Sequence, residues 1–296
     1  MVKVKHRSRH NVRILGVIMI MNHNMHLAPE LIDLILDNLH KRLRDVRHCS
    51  LVCRAWLHKC RSLLFRRKVL YPREGYSRSA LPYNNKLYPA LLTSPHIADY
   101  IKELKVYEGQ EVKDEQWIKE DKTLPLLLRK LRKLERIEFK RLEWDTLPVE
   151  LKDSVCSVLE LPTLASLEIQ IGHFAGMDDF ADFLSHARSL TGLTLNAVST
   201  PVDNSDNKRE ELAVEEPAFQ DPLQQSRHLV DLRIASFAQN QLLAWFLGPQ
   251  SPFALSRIHT LHVARGSRGT VNTLLRRIGA SLKRLEIDRS AHFWCK

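Results

Sequence analysis

Polar residues recur at Glu30, Asp33, Asp37 and Lys41, three or four positions apart, and most of the positions between them are apolar. On a helix that spacing gathers the polar side chains into one narrow stripe. Leu31, Leu34, Ile35 and Leu39 fall on one flank of the stripe and Ile32 and Leu36 on another, so the apolar arc is wider than an ordinary core-facing face. Pro29 suits a first helical turn, and Glu30 behind it complements the helix dipole. The pattern predicts a helix starting at about Pro29. A second helix is expected from about Leu43, where Val46, Cys49, Val52, Cys53, Trp56 and Leu57 return at helical spacing.

Further along, the period changes from helical to alternating. IKELKVYE, LERIEFKR, LASLEIQI, LTGLTLNA, LVDLRIAS, IHTLHVAR and LKRLEIDR each hold an apolar-x-apolar centre: Leu104/Val106, Ile137/Phe139, Leu167/Ile169, Leu193/Leu195, Leu232/Ile234, Leu261/Val263 and Leu285/Ile287. Such alternation predicts strands with one buried face. Helical segments are expected between them, at 126–131, 150–159, 178–187, 241–247 and 271–278. Strand, helix and strand in regular succession predict parallel pairing through crossovers, an α/β fold. An ordinary α/β sheet without repeat symmetry is the alternative.

The predicted organisation is a disordered basic extension (1–24), a helical module (25–70), a linker (71–96) and the repeating domain (97–290). Residues 201–217, PVDNSDNKREELAVEEP, are acidic and lack apolar periodicity, which predicts a disordered insertion in that domain. The chain carries a net charge of +11, but residues 1–73 hold 16 Lys and Arg against 4 Asp and Glu. Basicity therefore belongs to the N-terminal part. It lacks the interleaved aromatics of single-strand nucleic-acid binding, and an acidic protein partner fits it equally well. Cys49, Cys53, Cys60, Cys156 and Cys295 lack paired metal-ligand spacing and read as reduced core thiols, which implies cytosol or nucleus. The apolar run at 12–21 is too short to span a bilayer, and no membrane association is expected.

LAPELIDLIL, a spacer ending at Val46, and CSLVCRAW together resemble the F-box, with the SLVCRAW ending similar to the version common in fungal F-box proteins. Two features depart from that pattern: Ala28 precedes Pro29 where the family usually has Pro directly after Leu, and Lys41, Arg42, Arg44 and Arg47 make the spacer very basic. The strand phrases resemble the leucine-rich-repeat horseshoe, a solenoid with a parallel sheet, although they are longer and more uneven and Asn196 is the lone candidate for its Asn ladder. The combined resemblance implies a three-helix F-box-like module followed by a leucine-rich-repeat-like solenoid. Its implied role is that of a substrate-recognition adaptor in a Skp-cullin-F-box type ubiquitin ligase.

By resemblance, Leu27, Pro29, Leu31, Ile32, Ile35 and Leu36 would dock on a Skp-type adaptor and through it a cullin scaffold. Strand geometry supplies a second surface. The residue between each apolar pair points away from the core, giving the row Lys105, Glu138, Glu168, Thr194, Arg233, His262 and Glu286 as the substrate face for an unidentified protein. No phosphate loop, nucleophile elbow or His-Glu-x-x-His pattern occurs, and Asp178 and Asp179 read as helix-start residues. No catalysis, cofactor or metal is therefore expected. The alternatives are a repeat scaffold without a ligase link and a basic nucleic-acid binder.

Overall fold

Pro29 occupies the first turn of helix α1 (Pro29–Asn38) in the computed structural model of the chain, which describes residues 28–39, 42–71, 84–108, 117–200, 227–235, 239–248, 251–264 and 268–288. Two further helices follow, α2 (Leu43–Cys49) and α3 (Arg54–Phe65). The single helix expected from Leu43 is thus broken at Ser50–Cys53. There the amides of Leu51 and Val52 reach back only three residues, to His48 and Cys49, and the Ser50 hydroxyl donates to the Arg47 carbonyl at 2.6 Å. That hydroxyl offers the backbone an alternative to a continued helix.

The chain divides into two compact units, the first ending at Leu64 and the second starting at Phe65. In the first, Leu36, Val46, Cys49, Trp56 and Cys60 form a buried core, with Ile32, Leu39, Val52, Leu63 and Leu64 packed against it. Cys53 departs from the sequence expectation, being exposed, and Cys156 in the second unit is half-buried. Burial pushes the Cys60 thiol up to about 11, so it stays protonated at neutral pH.

The second unit opens with β1 (Arg67–Leu70), α4 (Asn84–Thr93), a 3-10 turn at Pro95–Tyr100 and β2 (Glu103–Tyr107). After the short α5 (Trp117–Glu120) and α6 (Thr123–Leu128) come β3 (Arg136–Glu143), α7 (Val149–Leu159), β4 (Ser166–His173), α8 (Met177–Ser185) and β5 (Gly192–Ser199). The remainder holds β6 (Arg227–His228), β7 (Asp231–Ala235), α9 (Gln239–Leu247), β8 (Phe253–Ala254), β9 (Thr260–Ala264), α10 (Arg268–Ile278) and β10 (Arg284–Asp288). β6 pairs with β8 alone. The other eight strands form one sheet in the order β1-β2-β3-β4-β5-β7-β9-β10, each pairing parallel with its neighbour.

This is an α/β unit with a parallel sheet, and each of the seven alternating phrases supplies one strand. The division falls at Leu64 and Phe65 and not at 70, and of the expected linker at 71–96 residues 72–83 lie outside the described residues while 84–93 form α4. β1 belongs to the sheet, and Leu87 and Leu91 of α4 are buried in its core. The expected extension at 1–24 and insertion at 201–217 lie outside the described residues.

One hydrogen-bond motif recurs at every junction of the large sheet. The carbonyl of Arg66, Lys102, Glu135, Ala165, Thr191, Val230 or His259 accepts two successive amides from the start of the next strand, at 2.7–3.1 Å. Beneath the sheet, the apolar pairs from β2 to β9 are buried, whereas Leu285 and Ile287 on β10 remain 41% and 44% exposed. A chain of ring contacts links successive layers of the core. It runs from Trp144 through Phe183, Phe174, Phe180, Trp245 and Phe246 to Phe253, with centroids 4.7–6.1 Å apart.

Arg141, Ile171 and Ala197 share a further regularity. Each takes a positive φ, 59°, 63° and 51° respectively, and each is the one residue its strand leaves out of the pairing ladder. The three stand at one level across β3, β4 and β5, forming an aligned bulge. Beyond it the alternation resets, so that Leu142, Gly172 and Val198 face the core. A Cβ at Gly172 would come within 2.8 Å of the Ile169 side chain, which explains the glycine.

Candidate functional site

The seven residues predicted for the outer face form one row. Lys105 pairs in register with Glu138, Glu138 with Glu168, Glu168 with Thr194, Thr194 with Arg233, Arg233 with His262, and His262 with Glu286. Because side chains alternate along a strand, all seven project from the face opposite the apolar pairs. They are not equivalent in exposure. Arg233 is exposed, and Lys105, Glu168, Thr194, His262 and Glu286 are half-buried.

Glu138, expected on the substrate face, is withdrawn from solvent at only 1% exposure. Its Oε2 accepts from Lys105 Nζ, and its Oε1 accepts from the Tyr107 hydroxyl at 2.9 Å and from Gln170 Nε2 at 3.2 Å. The Gln170 amide also donates to Glu168 Oε1 at 2.7 Å. A buried carboxylate is tolerated when its oxygens are this well supplied with donors. Lys105 and Lys140 lie over the Tyr107 ring at 5.9 and 5.4 Å, so the β2–β4 part of the face is closed by its own side chains. On Lys105, burial acts to lower the pKa, and the hydrogen bond and charge of Glu138 more than offset it; the net direction is up. Burial raises the Tyr107 hydroxyl, and its bond to Glu138 raises it further.

Past the aligned bulge, Glu143, His173 and Ser199 occupy one register level at the ends of β3, β4 and β5. Ser199 Oγ and His173 Nδ1 are 2.5 Å apart, while the Glu143 carboxylate takes a 2.7 Å hydrogen bond from Lys119 Nζ. That bond holds the Glu143 carboxyl below the usual range, with burial opposing it. Glu143 is thus committed to Lys119.

In the first unit the expected docking residues separate by depth. Leu27 lies outside the described residues, Pro29 is exposed, and Leu31 is 49% exposed. Ile32 and Ile35 are half-buried, with Ile32 packed on the core. Leu36 is 0% exposed and belongs to the unit's own core, so its side chain offers no surface to a partner. Sequence reasoning did not single out Leu34 (60% exposed), Leu43 (47%) or Leu51 (83%) as surface residues. Leu34 was on the predicted apolar flank, but periodicity gives the direction of a side chain on its helix and not what lies against it.

Among the described residues no group of three His, Cys, Asp or Glu side chains could hold a metal ion, and no helix is long and apolar enough to cross a membrane. Comparison with protein-family models and with curated proteins yields no match for this chain.

Proposed function

We propose that this chain is a non-catalytic substrate-recognition adaptor, in which an F-box-like helical module engages a Skp-type adaptor and, through it, a cullin scaffold. The observation that carries the proposal is the double use of α1. Leu36 completes a core internal to the module, and Leu31 and Leu34 still stand on the surface at 49% and 60% exposure. Exposed leucines beside a core that is already closed are what a helix-docking interface uses. Pro29, Leu31, Ile32 and Ile35, with Leu34 added and Leu36 removed, make up the proposed adaptor face.

The second unit is a leucine-rich-repeat-like solenoid on this proposal. Support comes from strands added in chain order, from the seven-fold recurrence of the two-amide junction and from the bulge shared by three successive strands. Its outer row offers the substrate protein Thr194, Arg233, His262 and Glu286 together with the rim of the Glu138 network. The chain then acts by tethering: holding substrate and ligase at once raises the effective concentration of substrate lysines near the catalytic partner. Its place of action is the cytosol or nucleus.

Co-purification of the full chain with a Skp-type adaptor tests the proposal. Leu31→Asp combined with Leu34→Asp alters exposed positions and so should leave the unit folded. Losing the burial of even one such leucine costs on the order of 1.5–3 kcal/mol, a ten- to hundred-fold weaker complex. If the wild-type chain retains no adaptor, or the folded double variant retains it equally well, the proposal fails.

A further inference from the structure

The first unit is electrically two-sided. On α2, Arg44, Arg47 and His48 are exposed at spacings that put them on one face, opposite the buried Val46 and Cys49. On α3, Arg54 and His58 are exposed and Arg61 is half-buried on the same side of the helix, opposite the buried Trp56 and Cys60. Among the described residues no carboxylate forms an ion pair with Arg44, Arg47, Arg54 or Arg61. The acidic side chains lie mainly elsewhere, with Glu30, Asp33 and Asp37 on the solvent stripe of α1, where Asp37 pairs with Lys59 at 2.9 Å. The unit's own fold does not require this guanidinium density, because its core closes without it.

We propose that the α2–α3 basic band, together with the exposed leucines of the same unit, receives a carboxylate-rich surface on the partner protein. Resting on the adaptor function proposed above, it assigns that partner's chemistry as acidic groups bordering an apolar patch. Three observations favour protein over polyanion. Leu43 and Leu51 stand exposed beside the basic residues, and a phosphate backbone would leave them solvated. Among the described residues of the unit, Trp56 stands alone as a Phe, Tyr or Trp, and it is buried and cannot stack on a base. The acidic stripe of α1 would repel a uniformly negative duplex or membrane but suits a partner carrying both signs. The cations are mainly Arg, whose planar fork matches carboxylates in pairs.

Charges that border an apolar contact act chiefly on the rate of encounter. The test is stopped-flow association of the full chain with a Skp-type adaptor from about 50 mM to about 1 M NaCl, a range that shortens the screening length to roughly 3 Å. Wild type is expected to associate about tenfold or more slower at high salt. Arg44→Glu, Arg47→Glu and Arg54→Glu together should remove most of that salt dependence, with dissociation little changed and the melting temperature retained. Adaptor binding that is insensitive to both salt and these substitutions overturns the inference while leaving the adaptor function standing. Absence of adaptor binding at every salt concentration removes both. Tighter capture of a short DNA duplex or of phosphatidylserine vesicles than of the adaptor, abolished by the same substitutions, overturns it in favour of a polyanion.

Discussion

Lys105 and Glu138 face each other at one register position on adjacent parallel strands, and the Glu138 carboxylate they share with Tyr107 and Gln170 is withdrawn from solvent. A buried carboxylate that loses its role leaves three donors without their acceptor. Glu138→Ala should therefore destabilise the second unit by on the order of 3 kcal/mol. Glu138→Gln keeps a neutral acceptor and should cost about 1 kcal/mol. Urea denaturation of the two variants measures both, and equal stabilities for wild type and Glu138→Ala would show that the network contributes nothing.

The same network fixes the alkaline limb of the stability curve. Lys105 has a folded-state pKa above its unfolded value, so its contribution is complete below the unfolded pKa and is lost as pH rises through the folded one. Tyr107 is also raised, and its neutral hydroxyl is the form that donates to Glu138; its contribution disappears in the same direction. Stability should thus fall as pH climbs past about 10, the ordinary range of both groups. In Glu138→Gln the decline should be shallower, and thermal melts at a series of alkaline pH values would reveal an unaltered slope if the linkage is absent.

Trp56 and Leu36 anchor the small core of the first unit. Trp56→Ala should cost about 3–5 kcal/mol and Leu36→Ala about 2–5 kcal/mol, amounts that a unit with few buried residues cannot absorb. Hydrogen exchange should then show amides of α1–α3 losing protection while those of β2–β5 keep theirs. Equal loss across both units would contradict the division at Leu64 and Phe65.

Ala197 pays a steric cost at φ 51° that glycine does not. Ala197→Gly removes only a methyl group and relieves that strain, so it should raise stability by roughly 0.5–1 kcal/mol. A lowered melting temperature would mean that the methyl group contributes more than the strain takes away.

The seven strands of the repeating phrases were legible because each carries its signal within a few residues, as in Leu104-Lys105-Val106. β1 was not, since RKVL has two basic residues at one end and no alternating phrase to mark it. The aligned bulge left no local trace either: Arg141, Ile171 and Ala197 are none of them the Gly or Asn that usually signals a positive φ. The row itself followed from alternation, but the burial of Glu138 depends on Lys105, Tyr107 and Gln170, which lie 31–33 positions away in the chain. On α1, periodicity marked all the apolar positions without telling Leu36, inside the core, from Leu31 and Leu34 outside it. That distinction arises only when α2 and α3 pack.

Strand order in the large sheet is also the order of synthesis. Each strand leaving the ribosome finds its hydrogen-bonding neighbour already made, so no edge has to wait for a distant segment to arrive. The Glu138 carboxylate can be enclosed as soon as Gln170 has emerged, before β7, β9 and β10 have been translated. A nascent chain halted after β5 should consequently hold its buried charge already neutralised, and β5 would present the edge on which translation builds next.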